Sequence, residues 1–152
     1  MVQRTLSKDW GLAGLRVGYA IAAPEIAEAL NRIKPPFSVN SVALAAAEAA
    51  LSDSDSAWRT LAVQLVRRER DRLQQLLDQR GVRYHPSQAN FVTVQLDEAT
   101  LRAPLAALGL SVRNGDDLGL PGWSRISIGW APQMALLRHA LATITDSGKA
   151  TG

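Results

Sequence analysis

Thr5-Leu6-Ser7-Lys8-Asp9-Trp10-Gly11-Leu12-Ala13-Gly14-Leu15-Arg16-Val17-Gly18-Tyr19 gathers hydroxyls, one lysine and one arginine around a glycine-punctuated loop. Residues 2–7 read as a short strand, 11–15 as the loop and 17–22 as a second apolar strand. Such a group suits a phosphate and a carbonyl. Arginine grips phosphate in a planar fork, Thr5 and Ser7 add hydroxyl donors, and glycine lets the backbone approach closely. A lysine forms a Schiff base only as the neutral amine, which desolvation or a neighbouring positive charge favours, and Arg16 supplies such a charge. Lysine is also scarce: Lys8, Lys34 and Lys149 are the chain's lysines among 17 Lys and Arg residues. By composition and spacing alone, an ordinary surface lysine beside a turn remains the favoured reading of the segment.

The bulk numbers frame that choice. At 152 residues, 47% hydrophobic and 20% charged, the chain has the composition of a soluble globular protein with room for a core. The absence of cysteine removes disulfides, thiolate nucleophiles and cysteine-ligated metals, and His85 and His139 alone argue against a protein-built zinc site. A reducing cytoplasm fits. The formal net charge of +3 admits a nucleic-acid partner only if the arginines form one patch. The one dense group, Arg67, Arg68, Arg70 and Arg72, is interleaved with Glu69 and Asp71 and reads as a solvated helix face with internal ion pairs. Nucleic-acid binding, with its steep loss of affinity in salt, therefore ranks last among the function classes. No stretch approaches the roughly 20 apolar residues of a membrane span, and Met1-Val2-Gln3-Arg4 lacks the apolar core of a signal peptide.

Downstream of the loop, residues 24–34 carry a helix opened by Pro24 and Glu25 and ended by Pro35-Pro36. Asn40 or Ser41 caps a helix over 42–51 that is apolar on every side and so expects burial on every side. Residues 52–55 offer caps for a long helix to about residue 80, a strut between domains with Trp58, Leu61, Leu65, Leu73, Leu76 and Leu77 facing inward and Gly81 as its C-cap. Beyond it the pattern predicts strands at 82–84, 90–96, 110–113 and 125–128, a helix over 97–108 closed by Gly109, a polar turn at 114–117 and a helix from 132 to about 144. Helices and an antiparallel or mixed sheet then form two layers. Residues 147–152 read as a disordered tail.

The run from Thr5 to Tyr19 resembles the Schiff-base lysine signature of the class I and II aminotransferases, most closely that of the histidinol-phosphate aminotransferase group. Three later stretches resemble the same family in the same order: Pro35-Pro36-Phe37-Ser38-Val39-Asn40, Gln88-Ala89-Asn90-Phe91-Val92 and Ser124-Arg125-Ile126-Ser127-Ile128-Gly129. The resemblance implies an α/β chain, the C-terminal part of the fold-type-I pyridoxal-phosphate-dependent transferases. Residues 1–51 would be a remnant of the large domain's parallel sheet and 52–146 a small α+β domain. It implies Lys8 as the lysine that holds pyridoxal 5'-phosphate and carries the proton, with Thr5, Ser7 and Arg16 on the cofactor phosphate. Arg125 would bind the substrate α-carboxylate, and Arg113 the phosphate of a phosphorylated substrate. The implied reaction is amino transfer between an amino acid, histidinol phosphate foremost, and a 2-oxo acid, in a homodimer.

Two departures stand out. Asp9-Trp10 occupies the place of a common Ala-Phe, and Trp130-Ala131-Pro132-Gln133 replaces a threonine-led helix start. The family's chain is more than twice this length, and its preceding part supplies the carboxylate for the pyridine nitrogen, an aromatic over the ring and further phosphate donors. Two rivals follow: a non-catalytic remnant or assembly module, and a related decarboxylase such as threonine-phosphate decarboxylase. Among the other polar and aromatic residues, Asn90 is expected to fix local backbone through its side chain. Tyr19, Trp58 and Trp123 are expected to pack, and the histidines to have no role.

Overall fold

The computed structural model describes residues 1–52 and 57–149, and contacts divide the chain into two units, Met1–Val63 and Gln64–Gly152. In the first unit, β1 (Val2–Thr5) pairs with β2 (Gly18–Ile21), Val2 facing Ile21 and Thr5 facing Gly18. The pair is antiparallel, not two strands of a parallel sheet. Parallel neighbours need a crossover, usually a helix, whereas this link holds only a 3-10 turn at Ala13–Leu15, so the chain doubles back. Gly18 is required at its place, because a Cβ there would stand 2.6 Å from the Arg4 carbonyl oxygen.

Helix α1 (Pro24–Ile33) follows, with Pro24 in its first turn and the Lys34 amide donating to Leu30 O at its end. Helix α2 (Ser41–Ser52) is capped as expected: Asn40 Oδ1 accepts from the Ala43 amide at 2.8 Å. Leu6, Val17 and Ala43 form the buried centre of this unit, with Trp10, Leu12, Leu15, Val39 and Ala47 against them. The all-round burial expected of α2 is not found, since Ala43 is its one buried residue. Val42 and Leu44 are exposed, as are Ile26, Leu30 and Ile33 along α1.

Helix α3 (Ala57–Arg80) begins in the first unit and ends in the second. Of its expected caps, Ser52 instead closes α2 by donating to Glu48 O, and residues 53–55 lie outside the described residues. Gly81 ends the helix at φ +69°, its amide on Asp78 O. Leu73 and Leu77 are buried as the spacing predicts, but Trp58 and Leu61 are 60% and 64% exposed.

The second unit is built on a four-stranded antiparallel sheet, β3 (Tyr84–His85), β4 (Phe91–Val94), β5 (Arg113–Asn114) and β6 (Ser124–Ser127), ordered β3-β4-β6-β5. Strand alternation turns Val92, Val94, Ser124 and Ile126 to the buried face. Leu73 and Leu77 of α3, Leu101 and Leu105 of α4 (Glu98–Ala106) and Met134 and Leu141 of α5 (Ala131–Lys149) share the core with these strand residues. Each such side chain contributes roughly 1.5–3 kcal/mol by leaving water. Asp97 caps α4, accepting from the Thr100 amide at 2.6 Å, a bond that holds its carboxyl below the usual value. Helix α5 runs to Lys149, past the expected end near residue 144, and residues 150–152 of the expected tail lie outside the described residues.

The arginine-rich stretch of α3 departs most from its sequence reading. Arg67, Arg68, Asp71 and Arg72 are exposed and the internal ion pairs form, but Glu69 is fully buried and Arg70 nearly so. The Glu69 carboxylate accepts from Arg138 of α5 at 2.7 Å and from Arg72 at 2.9 Å, with Arg68 at 3.4 Å. Burial opposes its ionisation, but the bonds and charges of Arg138 and Arg72 outweigh it and hold the carboxyl below its usual 4.5. A depressed carboxyl stabilises the fold above its unfolded value, and that stability is lost as pH falls through the folded value. Glu69→Gln is therefore expected to cost on the order of 2 kcal/mol at pH 7. Its deficit should shrink as the pH is taken below 4.5. Urea unfolding of both proteins across that range checks this; an unchanged deficit in acid would contradict it.

Candidate active site

In the first unit the hairpin ladder continues one rung past β1 and β2, the Leu6 amide donating to Val17 O at 3.2 Å. The next residues along the two chains are Ser7 and Arg16, two of the expected phosphate ligands. The Leu6 carbonyl accepts from the Leu12 amide at 2.9 Å, and the Lys8 carbonyl from the Gly11 amide at 3.0 Å. Lys8 therefore heads a tight four-residue turn, with Gly11 at φ +72° as the residue that a left-handed corner requires.

The donors around it are largely unengaged. The Thr5 hydroxyl accepts from the Ser7 amide at 3.1 Å and keeps its own proton to give, and the Ser7 hydroxyl has no partner among the described residues. Arg16 spends one guanidinium nitrogen on Ala13 O at 2.8 Å; its others meet no protein acceptor among the described residues. Arg16 also stands in the left-handed region at φ 55°, a conformation that costs a side-chain-bearing residue about 1–2 kcal/mol. Two hydroxyls and an open guanidinium fork fit a phosphate dianion, and an exposed lysine amine on the same loop fits an aldehyde-bearing cofactor. A partner for a pyridine nitrogen is not among these residues, because Asp9, the loop's carboxylate, is bonded to Arg59 at 2.9 Å.

In the second unit Arg125 and Arg113 come together as a cross-strand pair, directly opposite on β6 and β5. Thr93 of β4 faces Arg125 from the other side, and His85 of β3 faces Thr93. The row lies on the sheet face turned away from Val92, Val94 and Ile126. The Arg125 guanidinium carbon sits 5.3 Å from the Phe91 ring centre, while its Nε is buried with no acceptor. Like charges set directly opposite repel, and an anion shared by the pair, or two held side by side, would relieve that repulsion.

Other expectations are revised here. Asn90 acts through its backbone carbonyl, which accepts from the Ile128 amide at 2.9 Å. The side chain that fixes this segment is Ser87, whose hydroxyl donates to Phe91 O at 2.5 Å and accepts from the Ala89 amide at 3.0 Å. Tyr19 and Trp58 are exposed. His85, expected to be idle, stacks on Trp123 with ring centres 4.5 Å apart; both lie just outside the strands expected at 82–84 and 125–128, so the contact had no signal in the sequence.

The family model described as aminotransferase class I and II matches residues 1–144. Histidinol-phosphate aminotransferase 2 of Ralstonia nicotianae is 46% identical over 151 residues, covering 93% of this chain and 40% of that protein. Histidinol-phosphate aminotransferase 1 of Mannheimia succiniciproducens is 42% identical over 148 residues, covering 96% of this chain and 40% of that protein. The crystal structure of histidinol-phosphate aminotransferase from Sinorhizobium meliloti in complex with pyridoxal-5'-phosphate superposes with a TM-score of 0.73 at 33% identity, covering 95% of this chain and 41% of that one. The chain thus spans about two-fifths of the length of the curated relatives it matches.

The repulsion across β5 and β6 is open to measurement. Replacing Arg113 with Gln is expected to raise the unfolding midpoint of the second unit at low ionic strength, and the gain should fade in high salt. Thermal unfolding at both salt concentrations decides; a gain that persists in high salt would show that the two guanidinium groups do not act on each other by charge.

Proposed function

The chain belongs to the class I and II aminotransferases, and from that premise we propose that it carries the lysine side and the anion-binding side of a pyridoxal-phosphate-dependent aminotransferase site, acting on histidinol phosphate and a 2-oxo acid. The observation that carries the reading is the placement of Lys8 at the head of a fixed turn, on one loop with the unengaged donors of Thr5, Ser7 and Arg16. When bound, the cofactor supplies the electron sink that lets an amino acid give up its Cα proton.

The protein's own groups have separate tasks. Thr5, Ser7 and Arg16 neutralise and orient the phosphate, with the ladder rung at Leu6 and Val17 fixing their spacing. Lys8 Nζ holds the cofactor and, once displaced by the incoming amine, takes and returns the proton. Arg125, half-buried and steadied by Phe91, binds the α-carboxylate or its equivalent anion in a planar fork. Arg113, opposite it, takes a second anion, and a substrate with a phosphate supplies one. The names of the Ralstonia and Mannheimia relatives support histidinol phosphate as that substrate. A homodimer and a cytoplasmic setting belong to the same reading and rest on the resemblance. No helix among the described residues is long and apolar enough to cross a membrane.

The Lys8 loop itself offers no free carboxylate for the pyridine nitrogen, Asp9 being bonded to Arg59. Among the described residues of the first unit, Leu6, Val17 and Ala43 are the buried hydrophobics, while α1 and α2 expose theirs. Large exposed apolar areas mark surfaces that other chain covers. The test is chemical trapping: borohydride added to the chain with pyridoxal phosphate should leave a pyridoxyl group on Lys8 in preference to Lys34 and Lys149. Lys8→Ala should abolish that preference, and equal labelling of all three lysines would refute the assignment.

A further inference from the structure

We propose that the first turn of α3 is a clamp that sets the Lys8 turn, with Arg59 as a positioning residue for the lysine. The inference rests on the functional reading of Lys8 and adds what holds it. The turn consists of Lys8, Asp9, Trp10 and Gly11, closed by the Gly11 amide on Lys8 O. Arg59 Nε donates to Asp9 Oδ2 at 2.9 Å, and the same guanidinium lies 4.5 Å from the centre of the Trp10 ring. Its neighbour Trp58 stands against Gly11, its Cη2 3.4 Å from where a Cβ would be. Two consecutive residues of α3 thus touch three of the four turn residues. The fourth, Lys8, is exposed.

The chemistry of the pair explains why this chain needs the clamp. Asp9-Trp10 is where the sequence departs from the common Ala-Phe, and alanine could not take an arginine bond. Arginine suits the place because one planar group can bond a carboxylate at its edge and cover an indole with its face. With the side chains of Arg59 and Asp9 about one-third exposed, the pair is partly shielded from water. Corner residues held this way limit the turn's excursions and, through the Lys8 carbonyl, the direction in which the lysine leaves the backbone.

The test uses the full chain with Arg59→Gln, Asp9→Asn and the double variant. Two readouts are followed: hydrogen exchange of the Gly11 amide, and the rate at which Lys8 is converted to the borohydride-stable pyridoxyl-lysine. In that conversion Nζ condenses with the cofactor aldehyde, water is lost, and borohydride delivers hydride to the C=N carbon. Each single variant is expected to speed Gly11 exchange and slow Lys8 conversion by about fivefold, with the double variant no worse than the worse single. Arg59→Lys, which keeps the charge but not the planar face, should recover part of the loss. Unchanged Gly11 exchange in Arg59→Gln, or effects that add in full in the double variant, would overturn the clamp. If Arg59→Gln unfolds the first unit, Asp9→Asn, which keeps size and turn preference, decides alone. Should Lys8 of the native chain show no preference for the cofactor, the functional reading fails while Gly11 exchange still judges the clamp.

Discussion

Leu6 is where the first unit is tied together. Its amide extends the hairpin ladder to Val17, its carbonyl receives the Leu12 amide across the loop, and its side chain is 1% exposed among Val17 and Ala43. Twelve residues connect Thr5 to Gly18 without a helix longer than one 3-10 turn, and a loop of that length needs internal bonds to keep one shape. With Leu6 fixed on both sides, Thr5 and Ser7 flank it on one side of the loop and Arg16 ends the 3-10 turn just before Val17. Removing the rung would let each donor wander while leaving every one of them in the sequence.

The second unit solves a different problem, that of placing charge on a small sheet. One face of its strands is given over to the core, and the other carries Arg113 and Arg125 in opposition, with Thr93 and His85 completing the row. On the core side Arg68 and Arg72 of α3 and Arg138 of α5 share one carboxylate, Glu69. On the sheet side no carboxylate is bonded to Arg125 or Arg113 among the described residues. One cluster thus gathers around a buried carboxylate and joins two helices, while the other has no bonded carboxylate among the described residues. That contrast separates the two sets of arginines more sharply than their local sequence does.

Local chemistry was readable in the sequence, and distant pairing was not. Asn40, Asp97, Gly81 and Gly109 mark helix ends because capping depends on neighbours within four residues, and the structure uses all four. The strand, loop and strand around Lys8 were readable because their pattern is local. Glu69 was misread because alternating acidic and basic residues look like a solvated face until Arg138, sixty-nine residues away, is brought onto it. The facing of Arg113 and Arg125 depends on the register of a two-residue strand. The antiparallel return of β2 was missed for want of weight on the helix-free link.

The ion pair between Asp9 and Arg59 spans fifty residues. Closing so large a loop costs conformational entropy that the short-range bonds of the Lys8 turn do not incur. The hairpin can therefore form early from local contacts, as low contact order allows, while the final setting of the lysine waits on α3. In time as well as in space, this arrangement ties the turn that carries Lys8 to the folding of a helix far along the chain, so that a half-made molecule presents the loop before it presents the pair that holds it.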